Sequence, residues 1–113
     1  MSDKFLKNIP YSQTIEFASL VDYQEGQVIS RTISQGPNLS LTLFAFDKNE
    51  EISTHASSGD ALVQILDGQA RITIGEQQYL LKKGEAIVMP ANIPHALFAV
   101  ERFKMFLTVV FKN

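Results

Sequence analysis

The sequence predicts an all-β protein, a sandwich or barrel of short strands, on two observations. Gly59, Gly68, Gly75 and Gly84 stand 9, 7 and 9 residues apart, the one-dimensional pattern of strands joined by tight turns. Between them lie runs of four to eight β-branched and large apolar residues, strand length rather than helix length.

Gln27 to Ile33 is the first such run. Leu39 to Phe46 begins as strict alternation and then turns apolar on both faces. His55 stands at the end of a strand, before the polar turn Ser57-Ser58-Gly59-Asp60. Ala61 to Leu66 is apolar on both faces apart from Gln64. Arg71 to Ile74 alternates, and Gly75-Glu76 opens a tight hairpin to Gln78–Leu81. Ala86 to Met89 ends at Pro90, which has no N–H to give a ladder. Ala96 to Val100 and Phe103 to Phe111 complete the set. Helix fits only between Ser12 and Val21, where a strand fits equally well.

The 113 residues make one domain, an N-terminal segment of residues 1–26 followed by a barrel over residues 27–112. A content of 45% hydrophobic and 19% charged residues is ordinary for a globular chain. A net charge of −2 argues against nucleic acid as partner, since phosphate binding needs a clustered positive field. With no cysteine, disulfides, thiolate metal sites and cysteine nucleophiles are excluded. No apolar run has the length of a signal peptide or a membrane span, so the expectation is a cytoplasmic protein without a membrane partner.

A barrel strand should be apolar inward and polar outward. Residues 42–46 and 61–66 break that rule, so their outer faces are expected to meet the chain's own N-terminal segment or a second subunit. The expected partners are a small-molecule ligand and a second copy in a homodimer.

The two histidines, His55 and His95, are forty residues apart. Each alone reads as structural. Their settings at strand ends, with Pro90 and Pro94 fixing the backbone ahead of His95, let both imidazoles converge on the barrel mouth, where small-ligand sites lie.

Here the stretch from Asn49 to Ala99 resembles the two-part signature of the cupin superfamily. Its first motif runs glycine, five residues, His-x-His, three or four residues, glutamate, six residues, glycine. Its second runs glycine, five residues, proline, x, glycine, two residues, histidine, three residues, asparagine. Gly68 anchors the first, placing His55 at the first histidine, Ser57 at the second, Ala61 at the glutamate and Asn49 at the opening glycine. Gly84 anchors the second, with Pro90 and His95 in register, Asn92 at the inner glycine and Ala99 at the asparagine.

The resemblance implies a double-stranded β-helix, the cupin jelly-roll barrel. It also implies a metal site of three histidines and a glutamate, of which His55 and His95 alone survive. Any cofactor would then be one divalent transition metal (Mn, Fe, Ni, Zn or Cu) weakly held by that pair. The pocket is expected to be lined by His55, Ser57, Ala61, Val63, His95 and Leu97, with the aromatic residues of 44–46 and 98–106 (Phe44, Phe46, Phe98, Phe103 and Phe106) closing its walls.

Two functional readings stay open. One is a module binding a small molecule at His55 and His95. The other is a small-molecule enzyme, either a metal-dependent oxygenase or isomerase with a reduced ligand set or a metal-free isomerase. A third reading is a barrel that serves association alone. Of the other residues, Asp60 reads as a turn acid facing away from His55, and Gln64 as an interface hydrogen bonder. Lys104 reads as a side chain reaching the rim, and Met89 and Met105 as core filler.

Overall fold

The computed structural model describes residues 4–112. After an N-terminal arm, with one 3-10 turn at Phe17–Leu20, come nine strands. They are β1 (Val28–Gln35), β2 (Leu39–Phe46), β3 (Glu51–His55), β4 (Asp60–Asp67), β5 (Gln69–Ile74), β6 (Gln77–Lys82), β7 (Ala86–Met89), β8 (His95–Ala99) and β9 (Phe103–Val110). The 3-10 turn falls inside the one segment, Ser12 to Val21, that fits helix or strand equally, and each expected run is a strand.

The strands form two antiparallel sheets, ordered β1-β2-β9-β4-β7 and β3-β8-β5-β6. Sequence neighbours β3 and β4 lie in different sheets, so the chain crosses the barrel at the Ser57–Gly59 turn. Their inward faces enclose the core, where Phe46 and Phe103 stack with ring centres 4.4 Å apart beside Val63, Ile65, Ile72 and Ala99. An aromatic pair of this kind adds about 0.5–1.5 kcal/mol to the burial of its area.

A second cluster lies on the outside of the five-stranded sheet. Leu43, Ala45 and Ile33 are buried there with Val21 of the arm, packed by Ile9, Phe17, Leu20, Tyr23 and Phe106. This accounts for a sequence that is apolar both ways over residues 42–46: the arm is the cover. Polar contacts hold it down. The Arg31 guanidinium donates to the carbonyls of Asn8 (2.6 Å) and Leu20 (2.8 Å). Tyr23 donates its hydroxyl to Asp67, with Arg102 and Lys104 over its ring. Burial and Asp67 push the Tyr23 phenol well above its usual range, against the charge of Arg102. Lys104 does not reach the rim as expected; its ammonium donates to the Ala18 carbonyl at 2.6 Å, because the arm offers a nearer acceptor. The outer face of β4 is covered only in part. Val88 and Val110, on the strands flanking it, are 51% and 56% exposed.

One glycine shows why the turns are spelled as they are. Gly68, between β4 and β5, has φ +76°, and a Cβ there would stand 1.8 Å from the Arg102 carbonyl oxygen. Asn49 and Asn92, which replace motif glycines, have φ +72° and +64°. Asparagine tolerates that left-handed region better than other non-glycine residues, so the turns survive the change. No helix of the described residues is long and apolar enough to cross a membrane.

Candidate functional site

β3 and β8 bring the two histidines together. They are adjacent antiparallel strands in which His55 lies directly opposite His95. The register between them slips between Ile52 and His55, a bulge that turns the strand by one side-chain position. Ile52 and His55 would otherwise face opposite sides; with the bulge both line the same cavity. The Asn92 N–H donates to the Ser57 carbonyl at 2.7 Å, tying the loop before His95 to the turn after His55.

The cavity lies between the sheets at this end and has a volume of about 220 Å³. Its wall is Phe44, Ile52, His55, Ser57, Ala61, Met89, His95, Leu97, Met105, Leu107 and Val109. Thus five of the six expected lining residues are brought together: His55, Ser57, Ala61, His95 and Leu97. Val63 is corrected. It faces inward but lies deeper, fully buried in the core and off the wall, because alternation fixes a face and not a depth. Of the five expected wall aromatics Phe44 is on the wall and the other four are corrected as well. Phe46 and Phe103 stack on each other deeper in the core. Phe98 points out of the four-stranded sheet, with the Arg71 guanidinium over its ring at 4.6 Å. Phe106 packs under the arm against Phe17, ring centres 4.7 Å apart.

Met89, Met105, Ile52, Leu107 and Val109 are the wall residues that sequence reasoning did not place there. Cross-strand pairing was the missing signal, since Met89 sits opposite Ala61. Asp60 is exposed, as the turn reading expects, and accepts the Ala91 N–H at 2.8 Å. Gln64 is exposed on the outer face. A wider groove of about 550 Å³ runs between the arm and β1, lined by Lys7, Asp22 and Arg31 among others; it is open to solvent and remote from the histidines.

His55 is exposed at the mouth and His95, 2% exposed, lies behind it. Their rings meet edge to face at 74°, with Nε2 to Nε2 at 3.2 Å. His55 Nδ1 is 2.9 Å from the Ser53 carbonyl and His95 Nδ1 is 3.2 Å from the Ile93 carbonyl. A carbonyl oxygen only accepts, so each of these two contacts needs a proton on Nδ1. The contact between the Nε2 atoms needs one more. Two neutral imidazoles carry one N–H each, so three contacts share two protons. Whatever the tautomers, one contact sets lone pair against lone pair. The pair is short of one positive equivalent.

Burial, and then the charge that His55 would carry, hold the His95 imidazolium below its usual range; the Ile93 carbonyl acts the other way. The pair therefore accepts one proton far more readily than two. Among the described residues no third histidine, aspartate or glutamate stands close enough to complete a metal-binding group.

The comparisons with known proteins agree with this fold. The chain is 44% identical to a conserved protein of unknown function from Streptococcus pyogenes, over 97% of this chain and 96% of that one, with a TM-score of 0.95. It is 34% identical to a cupin superfamily protein from Desulfitobacterium hafniense, over 95% and 98% of the two chains, with a TM-score of 0.91. A cupin 2 conserved barrel domain protein from Leptotrichia buccalis shares 42% identity over 85% of this chain and 47% of its own, with a TM-score of 0.83. Among curated proteins, mannose-6-phosphate isomerase of Streptococcus mutans is 33% identical over 52 residues, 46% of this chain. The match spans only 16% of that enzyme. The family model for the cupin domain matches residues 42–111, the stretch holding both histidines, and the chain belongs to the cupin family.

Proposed function

We propose that this protein is a small-molecule-binding cupin whose cavity takes a compact, mostly apolar molecule bearing one acidic O–H: a carboxylic acid, a phenol or an enol. The observation that carries the reading is the proton shortfall at His55 and His95. An acidic ligand supplies the missing proton, which settles between the two Nε2 atoms. The resulting anion stays beside a cationic pair. Ser57 adds a donor: its Oγ accepts the Gly59 N–H at 3.1 Å, which leaves its own hydrogen for the ligand. The rest of the wall is apolar, and about 220 Å³ is below the roughly 300–1,000 Å³ of drug-sized sites, so the ligand is small.

The divalent metal that the family resemblance implies fits this donor set poorly. Two neutral rings bring no charge to offset a dication, and Ala61 removes the carboxylate that would. A sugar phosphate, the substrate class named by the isomerase relative, is also poorly served. No lysine or arginine lines the cavity, and phosphate recognition calls for such cations.

Calorimetry against a panel of small carboxylic acids and phenols, with their amides and methyl ethers as neutral isosteres, tests the reading. Acids bind and neutral isosteres do not. A ligand added as its anion takes up one proton on binding, read as a heat that changes with buffer ionisation enthalpy, so affinity falls as pH rises. His55→Ala and His95→Ala each abolish the uptake. Equal affinity for acids and their neutral isosteres would sink the proposal.

A further inference from the structure

The outer face of the four-stranded sheet carries an arginine that neither the core nor the cavity uses. Phe98 of β8 stands directly opposite Glu51 of β3 on one side and Arg71 of β5 on the other. Residues opposite one another in antiparallel strands share a face. In the neighbouring row, Thr73 stands between Ala96 and Gln78. Ala96 is the short side chain among them, and a hollow of about 180 Å³ is bordered by it and by Glu51, Arg71, Thr73, Gln78 and Phe98.

We propose that this hollow is a binding site for a short ω-amino carboxylate, its carboxylate on Arg71 and its ammonium on Glu51. The site lies on the opposite side of the sheet from the histidine cavity and does not rest on the acid-binding reading.

The state of Arg71 is the first argument. It is half-buried, and its guanidinium lies over the Phe98 ring at 4.6 Å. Among the described residues it makes no hydrogen bond and no ion pair. A planar fork of five N–H donors matches a carboxylate bidentately. The ring beneath it already restricts the side chain, so little freedom is lost when the carboxylate arrives.

Charge is the second argument. The border of the hollow holds one cation and one acid, Arg71 and Glu51, so a zwitterion is matched at both ends. A phosphate dianion would meet a single cation and the repulsion of Glu51. Thr73 and Gln78 add neutral donors beside Arg71.

Spacing is the third argument. β3 and β5 flank β8, which sets Glu51 and Arg71 two strand spacings apart, about 9–10 Å between main chains. An α-amino acid carries both charges on one carbon and cannot serve both residues. About 180 Å³ is the share of roughly six waters, room for a chain of about four or five carbons.

The test is a chemical-shift titration of the ¹⁵N-labelled full chain with 5-aminopentanoate, pentanoate, glycine and inorganic phosphate. Saturable shifts at the amides of Glu51, Arg71 and Phe98 are expected with 5-aminopentanoate, and at least about tenfold weaker binding there for the other three. Arg71→Gln abolishes these shifts. Arg71→Lys keeps the charge but loses the fork, and weakens binding by at least about threefold. Glu51→Gln, at an exposed position, leaves 5-aminopentanoate no better than pentanoate. The amides of Ile72 and Leu97, on the other face, stay in place in every variant if the sheet is intact. Absence of a saturable shift, undiminished binding in Arg71→Gln, or glycine bound as tightly as 5-aminopentanoate would each overturn the proposal. The His95→Leu variant, which removes the acid site, keeps the 5-aminopentanoate shifts, so failure of one site is read separately from failure of the other.

Discussion

His55 and His95 face each other Nε2 to Nε2 at 3.2 Å, while the Nδ1 of each ring is turned to a main-chain carbonyl. In the free protein with neutral rings, one of these three contacts goes without a proton. A site that holds an unmet interaction in the free protein has set aside stability for the ligand that meets it.

That cost is measurable. His95→Leu removes the ring whose partner contacts outnumber its protons and leaves an apolar side chain in an apolar wall. It is expected to raise stability by about 1 kcal/mol, or about 4–8 °C in melting temperature for a domain of this size. His55→Ala, at the exposed mouth, should move stability by no more than about 0.5 kcal/mol. A His95→Leu variant that melts well below wild type would contradict the shortfall.

The pH dependence has a defined sign. Burial, and then the charge of a neighbouring His55, depress His95 in the folded state, so just below pH 6.5 the unfolded chain binds at His95 a proton that the folded pair, once it holds its first, refuses. Stability is therefore full above about pH 6.5 and declines as pH falls towards the folded pKa, by at most about 1.4 kcal/mol per unit. Urea denaturation between pH 7.5 and 5.5 reads this directly. The His95→Leu variant should lose the slope, and a slope kept in the variant would assign it to another group.

The arm is expected to be stapled at Tyr23. Tyr23→Phe deletes the hydroxyl donated to Asp67 and keeps the ring beneath Arg102. A loss of about 1 kcal/mol is expected, with faster amide exchange around Val21. Unchanged exchange there would mean that apolar packing alone holds the arm.

Gly68→Ala sets a Cβ against the Arg102 carbonyl at a position of φ +76°. The loss expected is more than about 2 kcal/mol, read as a lower denaturation midpoint at unchanged slope. Gly84→Ala meets nothing within 4 Å but keeps the strained φ of +91°, so it should cost less, about 1 kcal/mol.

Association is the remaining expectation. We propose that the uncovered strip formed by Leu39, Val88 and Val110 joins two copies. Light scattering should give twice 12.6 kDa, and Val110→Glu should return the monomer. A wild-type mass of one chain at high concentration would remove the proposal.

The strands were legible because glycine and proline stand where a ladder must stop: Gly68 at a left-handed turn, Pro90 after β7. The facing histidines were legible through motif spacing. The bulge before His55 was not, because nothing in Ser53-Thr54 marks an extra residue; it follows from how β3 settles against β8. Phe98 was misplaced although parity was readable, since it lies three residues from His95 and so on the other face. Phe106 fails the same count from Met105. Depth, which removes Val63 from the wall, depends on where two sheets diverge, and no single strand records that.

The arm has a further consequence. The stretch matched to the family begins at residue 42, beyond both the arm and β1, yet Leu43 and Ala45 are buried only because residues 9–33 lie across them. A chain cut back to the family boundary would keep both imidazoles and lose the lid over its own back. The unit of resemblance and the unit of folding differ here by some forty residues, and shortening the protein to the former should trade a covered sheet for an aggregating one.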